Sequence, residues 1–333
     1  MPESVLKHLY VELTNRCNLK CRMCARRFTK VELGELSVDN FKNLIPIFKK
    51  CQIIALNGWG ESLVHPEFSK FLEMVPHNGP FIELTSNGVL LRDDIISQLT
   101  KLKSTLIISI DGATQETYEQ IRIGARFKKV FDKLKTITKI KQSSGSNYPL
   151  IYIAFVAMRS NITELPSLIK ILSQYSISFL NVMFLLVHGH ELEKESLYFY
   201  PELYNHWIEK SRLQAADAGI KFNFPGFFAI TGNNCKHTGT ENLHRWLDCE
   251  APFQTALIKY NGNVMPCCVS ETSMGNILND DFNRIWSGSE YTEFRRKIRT
   301  DSPPRECLDC HHCQTQNINN IHTHIKILQS EKL

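Results

Sequence analysis

The stretch Leu9-Tyr10-Val11-Glu12-Leu13-Thr14-Asn15-Arg16-Cys17-Asn18-Leu19-Lys20-Cys21-Arg22-Met23-Cys24 opens on a short apolar strand, Leu9–Leu13, that runs straight into three cysteines. Their spacing, C-x3-C-x2-C, puts three thiols on one tight loop. Three thiolates can hold three irons of a cubane cluster and leave the fourth iron without a protein ligand. An open position on a metal centre is where chemistry happens, whereas structural sites are closed. The same spacing suits zinc, with a fourth ligand such as His65 brought in by folding, and at this level both readings stand.

Beyond the trio, apolar runs and helical patterns alternate. Gln52–Leu56, Pro80–Thr85, Leu106–Ile110, Leu150–Ala157 and Phe179–Val187 read as further strands. Helical spacing covers Val38–Lys50, with Ser37 as its N-cap, then Pro66–Val75, Asp93–Leu102, 127–142, Glu164–Gln174 and 202–218. Six strands separated by helices imply right-handed βα crossovers, hence a parallel sheet, either curled into a barrel or opened as a doubly wound sheet. Function in either form sits at the C-terminal ends of the strands. The unusual residues fall there: the trio after the first strand, Asn57-Gly58-Trp59-Gly60-Glu61 after the second, Thr85-Ser86-Asn87-Gly88 after the third and Ser109-Ile110-Asp111-Gly112 after the fourth.

The pattern changes near 219. Residues 222–240 are rich in Gly, Asn, Phe and Thr, with Pro225 breaking regular structure, and the Phe222, Phe224, Phe227, Phe228 run is expected to be interdomain core. Leu257–Cys267 reads as a hairpin around Asn261-Gly262, followed by an amphipathic helix over Asp281–Ile298. The expected division is a barrel over 1–220, a linker over 221–245 and a small domain with a polar tail over 246–333.

Composition narrows the class. The chain has 333 residues, 43% hydrophobic and 22% charged, with a net charge of +5; that excludes global disorder and does not call for nucleic acid. Eleven cysteines, an odd number, cannot all pair as disulfides. With no continuous apolar run near the N-terminus and none long enough to span a bilayer, a reducing, cytoplasmic setting with no membrane partner is expected.

The string ELTNRCNLKCRMC after a first strand resembles the radical S-adenosylmethionine (radical SAM) enzymes. The resemblance implies a partial (β/α)6 TIM-like barrel, a [4Fe-4S] cluster on Cys17, Cys21 and Cys24, and S-adenosylmethionine on the open iron. Its cleavage yields a 5′-deoxyadenosyl radical that abstracts hydrogen from the substrate. Gly58-Trp59-Gly60-Glu61 is similar to the family's Gly-Gly-Glu segment, with Trp59 in place of the usual small residue. By the same resemblance Gly58, Gly60 and Glu61 face the methionyl ammonium, Ser86, Asn87, Ser109 and Asp111 lie where the family contacts cofactor, and Arg122, in TYEQIRIG, pairs with the methionyl carboxylate. Met23 replaces a common aromatic and is expected near adenine. For Arg122, Ser109 and Asp111 the plain alternatives are a solvated helix end and turn residues.

Cys249, Gly262 and Cys267 give C-x12-G-x4-C, and Cys307, Cys310 and Cys313 follow. Residues 249–313 resemble the SPASM and twitch extensions, a small hairpin-and-helix domain in which such cysteines hold an auxiliary [4Fe-4S] cluster. Cys249, Cys267, Cys307 and Cys310 are the expected ligands, with Cys313 in reserve; a zinc knot using His311 or His312 is the alternative. Cys268 must point away from Cys267 on an extended strand. It, or Cys235, is a candidate hydrogen donor in an epimerisation, while a packed hydrophobe is the simpler role for Cys268 and for Cys51.

The substrate reading is first a small polyol, sugar or aminocyclitol undergoing dehydrogenation or epimerisation. The second is a ribosomal peptide or protein that is crosslinked, oxidised or epimerised, and the third a non-catalytic zinc protein. An electron donor such as flavodoxin or ferredoxin is the expected partner of the enzyme.

Overall fold

The computed structural model describes residues 5–229, 245–308 and 310. Six strands form close to where β-branched runs predict them: β1 (His8–Val11), β2 (Ile53–Ala55), β3 (Phe81–Ser86), β4 (Ser104–Ser109), β5 (Leu150–Ala157) and β6 (Ile177–Phe184). They pair parallel in sequence order. Each crossover carries helix: α1 (Val38–Lys42) and α2 (Ile45–Phe48), α3 (Phe68–Glu73), α4 (Asp93–Leu99), α5 (Gln115–Ile121) and α6 (Phe127–Ser144), then α7 (Leu165–Leu172). α8 (Pro201–Asp217) follows the sixth strand. The core lies between sheet and helices. On α6, Val130, Phe131, Leu134 and Ile137 are buried at helical spacing, while Leu106 and Ile108 of β4 are sealed beneath them.

Several expectations change in detail. The single helix over Val38–Lys50 is two, because Pro46 cannot donate a backbone bond and restarts the helix at its first turn. Ser37 caps the first, accepting the Asn40 N–H at 3.1 Å. The expected linker begins with a seventh strand, β7 (Lys221–Asn223), parallel to β6. Of the aromatic run only Phe228 is fully buried, against Phe184 and Tyr204 of the barrel, while Phe227 stands 43% exposed.

The C-terminal region is continuous with the sheet. α9 (Ala251–Gln254) leads into β8 (Thr255–Ile258), which pairs parallel with β1 from His8↔Thr255 to Val11↔Ile258. β9 (Asn263–Met265) and β10 (Gly275–Asn276) add antiparallel, so the sheet runs β10-β9-β8-β1-β2-β3-β4-β5-β6-β7. An uncovered β1 edge would present a row of unpaired backbone groups; β8 satisfies them, with Glu12 donating to the Ile258 carbonyl at 2.9 Å. Gly262 makes the hairpin turn at φ 84°, a left-handed conformation glycine adopts without strain. The expected helix over Asp281–Ile298 breaks at Gly288 into α10 (Phe282–Ser287) and α11 (Ser289–Lys297), and α12 (Arg305–Leu308) closes the described chain. Among the described residues no helix is long and apolar enough to cross a membrane.

Candidate active site

The chain leaves β1 through buried Glu12, Leu13, Thr14 and Asn15 and then forms the thiol loop. Backbone clasps fix that loop from outside. Lys20 donates to the Ile123 carbonyl at 2.9 Å, Arg22 to Ile121 at 2.8 Å, and Glu61 to Arg16 at 2.8 Å. The Asn87 side-chain Nδ2 donates to the Asn18 side-chain Oδ1 at 2.9 Å. Gly60 lies so close that a Cβ there would come within 2.4 Å of the Thr14 and Arg16 carbonyls; at Gly58 it would meet the Glu12 side chain. Both glycines are therefore required by packing against the loop.

Cys17, Cys21 and Cys24 are free thiols lining one cavity of about 210 Å³ together with Met23, Gly60, Glu61, Ser86, Asn87, Ser109 and Arg122. Ten sequence-predicted residues from four strand ends thus meet there. Gly58 and Asp111 are not in its wall. Trp59 and Thr85 are; Thr85 opens the third strand-end segment, and the resemblance assigns it no role there. Glu61 is 3% exposed, its carboxylate taking the Asn87 N–H at 2.7 Å and the Ser86 hydroxyl at 2.9 Å. Burial pushes the Glu61 carboxyl up, and those two donors pull it back.

Asp111 is fully buried behind the wall. One carboxylate oxygen takes the Arg122 Nε–H at 2.5 Å and the other the Val156 N–H at 2.7 Å. The guanidinium thus held donates from Nη1 toward the Cys21 sulfur at 3.8 Å. Arg122 is accordingly no solvated helix-end charge, and Asp111 no simple turn residue. Burial pushes the Cys21 thiol up and Arg122 opposes it; burial also raises Cys17, against the Leu19 N–H. Three thiols around one cavity, with an arginine beside Cys21, fit an anionic thiolate-bound cluster. His65 is no fourth ligand: its Nε2 meets the Leu36 carbonyl at 3.0 Å and its Nδ1 accepts the Glu67 N–H at 3.1 Å.

A second, smaller cavity of about 30 Å³ is lined by Cys249, Cys267, Cys307 and Cys310 between the apolar walls of Trp246, Pro252, Phe294 and Ile298. These are the four thiols expected to act together, and the donor set and dry shell fit an auxiliary cluster. Burial pushes Cys267 far up and Cys307 up to about 12. Arg295 braces the region, stacked between Trp286 and Tyr291 and donating to the Pro252 carbonyl at 2.8 Å. Cys268 is not in this wall, but the extended strand expected to turn it away is not there: β9 ends at Met265, and Cys267 and Cys268 sit in the bend and turn that follow. Cys235 and Cys313 lie outside the described residues. Cys51 is core, and burial lifts its thiol to about 11. Among the described residues no three His, Cys, Asp or Glu side chains gather closely enough to hold a single metal ion; each thiol set is spread around its cavity.

A parallel partial barrel whose first loop presents three thiols to a Gly-Glu-Ser-Asn wall defines a protein that holds a thiolate-bound cofactor at the open end of its sheet. The model of the radical SAM superfamily matches residues 11–162, and that of the SPASM iron-sulfur cluster-binding domain matches residues 249–314. The chain is a radical SAM enzyme with a SPASM domain, and its cofactors are S-adenosylmethionine, a [4Fe-4S] cluster and auxiliary iron–sulfur binding in the C-terminal region. It is 26% identical to the tungsten-containing aldehyde ferredoxin oxidoreductase cofactor-modifying protein of Pyrococcus furiosus, over 92% of this chain and 87% of that one. It is 27% identical to the AdoMet-dependent heme synthase of Methanosarcina barkeri, over 86% and 83%. It is 25% identical to the mycofactocin maturase MftC of Mycobacterium tuberculosis, over 90% and 74%. Among solved structures, SuiB of Streptococcus suis bound to its precursor peptide SuiA superposes with a TM-score of 0.66 at 14% identity, covering 95% of this chain and 71% of that one. BtrN in complex with AdoMet and 2-DOIA gives 0.52 at 17% identity, covering 95% and 96%.

Proposed function

We propose that this enzyme is a maturase that abstracts hydrogen from a ribosomally made peptide and leaves it oxidised or crosslinked. One observation carries the reading. An open cleft of about 370 Å³ shares Trp59 with the thiol-loop cavity and runs between Thr29–Glu32 and the hairpin segment Lys259–Asn263. Asn15, Glu32, Asn261, Asn263 and Glu271 line it with donors and acceptors. Such a wall suits the repeating amides of an extended chain better than the enclosing pocket a small polyol needs. The relatives described as maturases support the peptide over the polyol, as does the superposition on SuiB over that on BtrN.

In this reading Cys17, Cys21 and Cys24 hold the catalytic cluster, which supplies the electron that cleaves S-adenosylmethionine. Gly60, Glu61, Ser86 and Asn87 receive the methionyl amine, and Glu61 is held for that task by its two donors. Arg122, fixed by Asp111, has further N–H groups for the carboxylate. Met23 and Ser109 line the adenosyl side. Cys249, Cys267, Cys307 and Cys310 hold the auxiliary cluster, a sink for the electron a substrate radical must lose. Flavodoxin or ferredoxin supplies the incoming electron.

The test takes reconstituted protein, S-adenosylmethionine, dithionite and synthetic peptides translated from short open reading frames beside the gene. A peptide that loses two hydrogen atoms by mass, with matching 5′-deoxyadenosine, is the expected result. Turnover of a polyol panel with every peptide untouched would overturn the substrate class.

A further inference from the structure

Two segments are unusually cationic. From Arg16 to Lys30 the chain has six basic residues and no acidic one, and from Arg122 to Lys129 four and none. The fold clasps these segments together through the bonds of Lys20 and Arg22 to the Ile123 and Ile121 carbonyls. Gly124 completes the junction, where a Cβ would meet Leu19 at 3.2 Å. Part of the charge is neutralised locally, since Arg16 pairs with Glu35, Arg22 with Glu195 and Arg126 with Glu119. Lys20, Lys128 and Lys129 are exposed and form no ion pair among the described residues. Between them Ile123 stands 43% exposed. An apolar centre inside a basic rim is the anatomy of a protein-docking surface. Cys21, next to Lys20 in the chain, is buried, and the Arg122 guanidinium reaches its sulfur at 3.8 Å.

We infer that the face formed by Lys20, Ile123, Lys128 and Lys129 docks an acidic one-electron carrier protein over the thiol loop. The inference rests on the assignment of the catalytic cluster to Cys17, Cys21 and Cys24. Its place favours a carrier over nucleic acid or an anionic membrane, because the face covers the one group that must receive an electron from outside. The carrier is oxidised by one electron and the cluster reduced by one; no bond forms or breaks at the face. Complementary charge speeds the encounter and makes it sensitive to salt.

The experiment follows bleaching of the reconstituted protein by stopped flow, with a bacterial flavodoxin reduced to its hydroquinone as probe and dithionite as a small reductant. Replacing Lys128→Glu and Lys129→Glu together is expected to lower the bimolecular rate with flavodoxin by about tenfold or more and to flatten its salt dependence. Reduction by dithionite stays unchanged. Calorimetric titration of flavodoxin into the iron-free protein reports the surface without the cluster, and the same variant should lose that heat. Should the double reversal fold poorly, Lys128→Gln with Lys129→Gln should show a smaller loss in the same direction. Flavodoxin reduction indifferent to charge and salt, or binding of phosphatidylserine vesicles or duplex DNA in its place, overturns the assignment. Failure of dithionite to bleach even the unaltered protein would instead strike at the cluster itself.

Discussion

Asp111 shows how much one residue can organise from behind a wall. It touches neither thiol nor cavity, yet it binds Arg122, the strand end at Val156 and, through its carbonyl, the Asn161 side chain at 3.1 Å. Asp111→Ala strands a buried guanidinium and is expected to cost about 3–5 kcal/mol in a urea melt. Adding Arg122→Met should recover part of that loss, because the uncompensated charge goes with it. A loss under about 1 kcal/mol would mean that water reaches the pair. The cysteines give a sharper contrast. Cys267→Ala should remove the auxiliary iron, measured per chain, whereas Cys268→Ala should leave it in place. The motif made both Asp111 and Arg122 visible in the sequence. Their pairing was not, since it depends on a turn that folds α5 back over the thiol loop.

At the scale of elements, α5 is held at its start by a residue far away in sequence. Glu164 accepts the Ala113 N–H at 2.6 Å, the Thr114 N–H at 3.1 Å and the hydroxyls of Thr114 and Thr117 at 2.8 and 2.5 Å. Burial disfavours its charge, but these donors outweigh burial and hold the carboxyl below its usual range. A lowered folded pKa adds stability above the unfolded value and loses it as pH falls through the folded one. Glu164→Gln should therefore lower Tm at pH 7, and the gap to the unaltered protein should close on acidification below about pH 4. A gap constant from pH 7 to pH 3 would exclude the charged cap. The strands and the larger helices were legible because β-branched runs and amphipathic spacing are local signals. Three-residue β7, polar and close to Pro225, carries no such signal. The pairing of β8 with β1 joins residues some 250 positions apart, which no local pattern encodes.

Across the whole molecule, one sheet carries both thiol sets. β1 lies between β2, whose following loop supplies Gly60 and Glu61, and β8, whose hairpin leads to Cys267. A shared sheet makes the separation of the two cavities a property of the fold, not of a hinge. Loss of β8 would expose the β1 edge and loosen the thiol loop that leaves it, so ending the chain before 245, which deletes the second thiol set outright, should also reduce iron at the thiol loop and promote aggregation by light scattering. Gly60→Ala acts at the same junction and should lower iron at the thiol loop alone. The cysteine spacings made both cavities legible from the sequence; the cleft at Trp59 was not, because its two walls come from opposite ends of the chain. The most direct test of the central claim measures 5′-deoxyadenosine from reconstituted protein given S-adenosylmethionine and dithionite, beside a variant with Cys17, Cys21 and Cys24 replaced by Ala. The unaltered enzyme is predicted to form it and the triple variant none; product formation that survives the triple replacement would contradict the account.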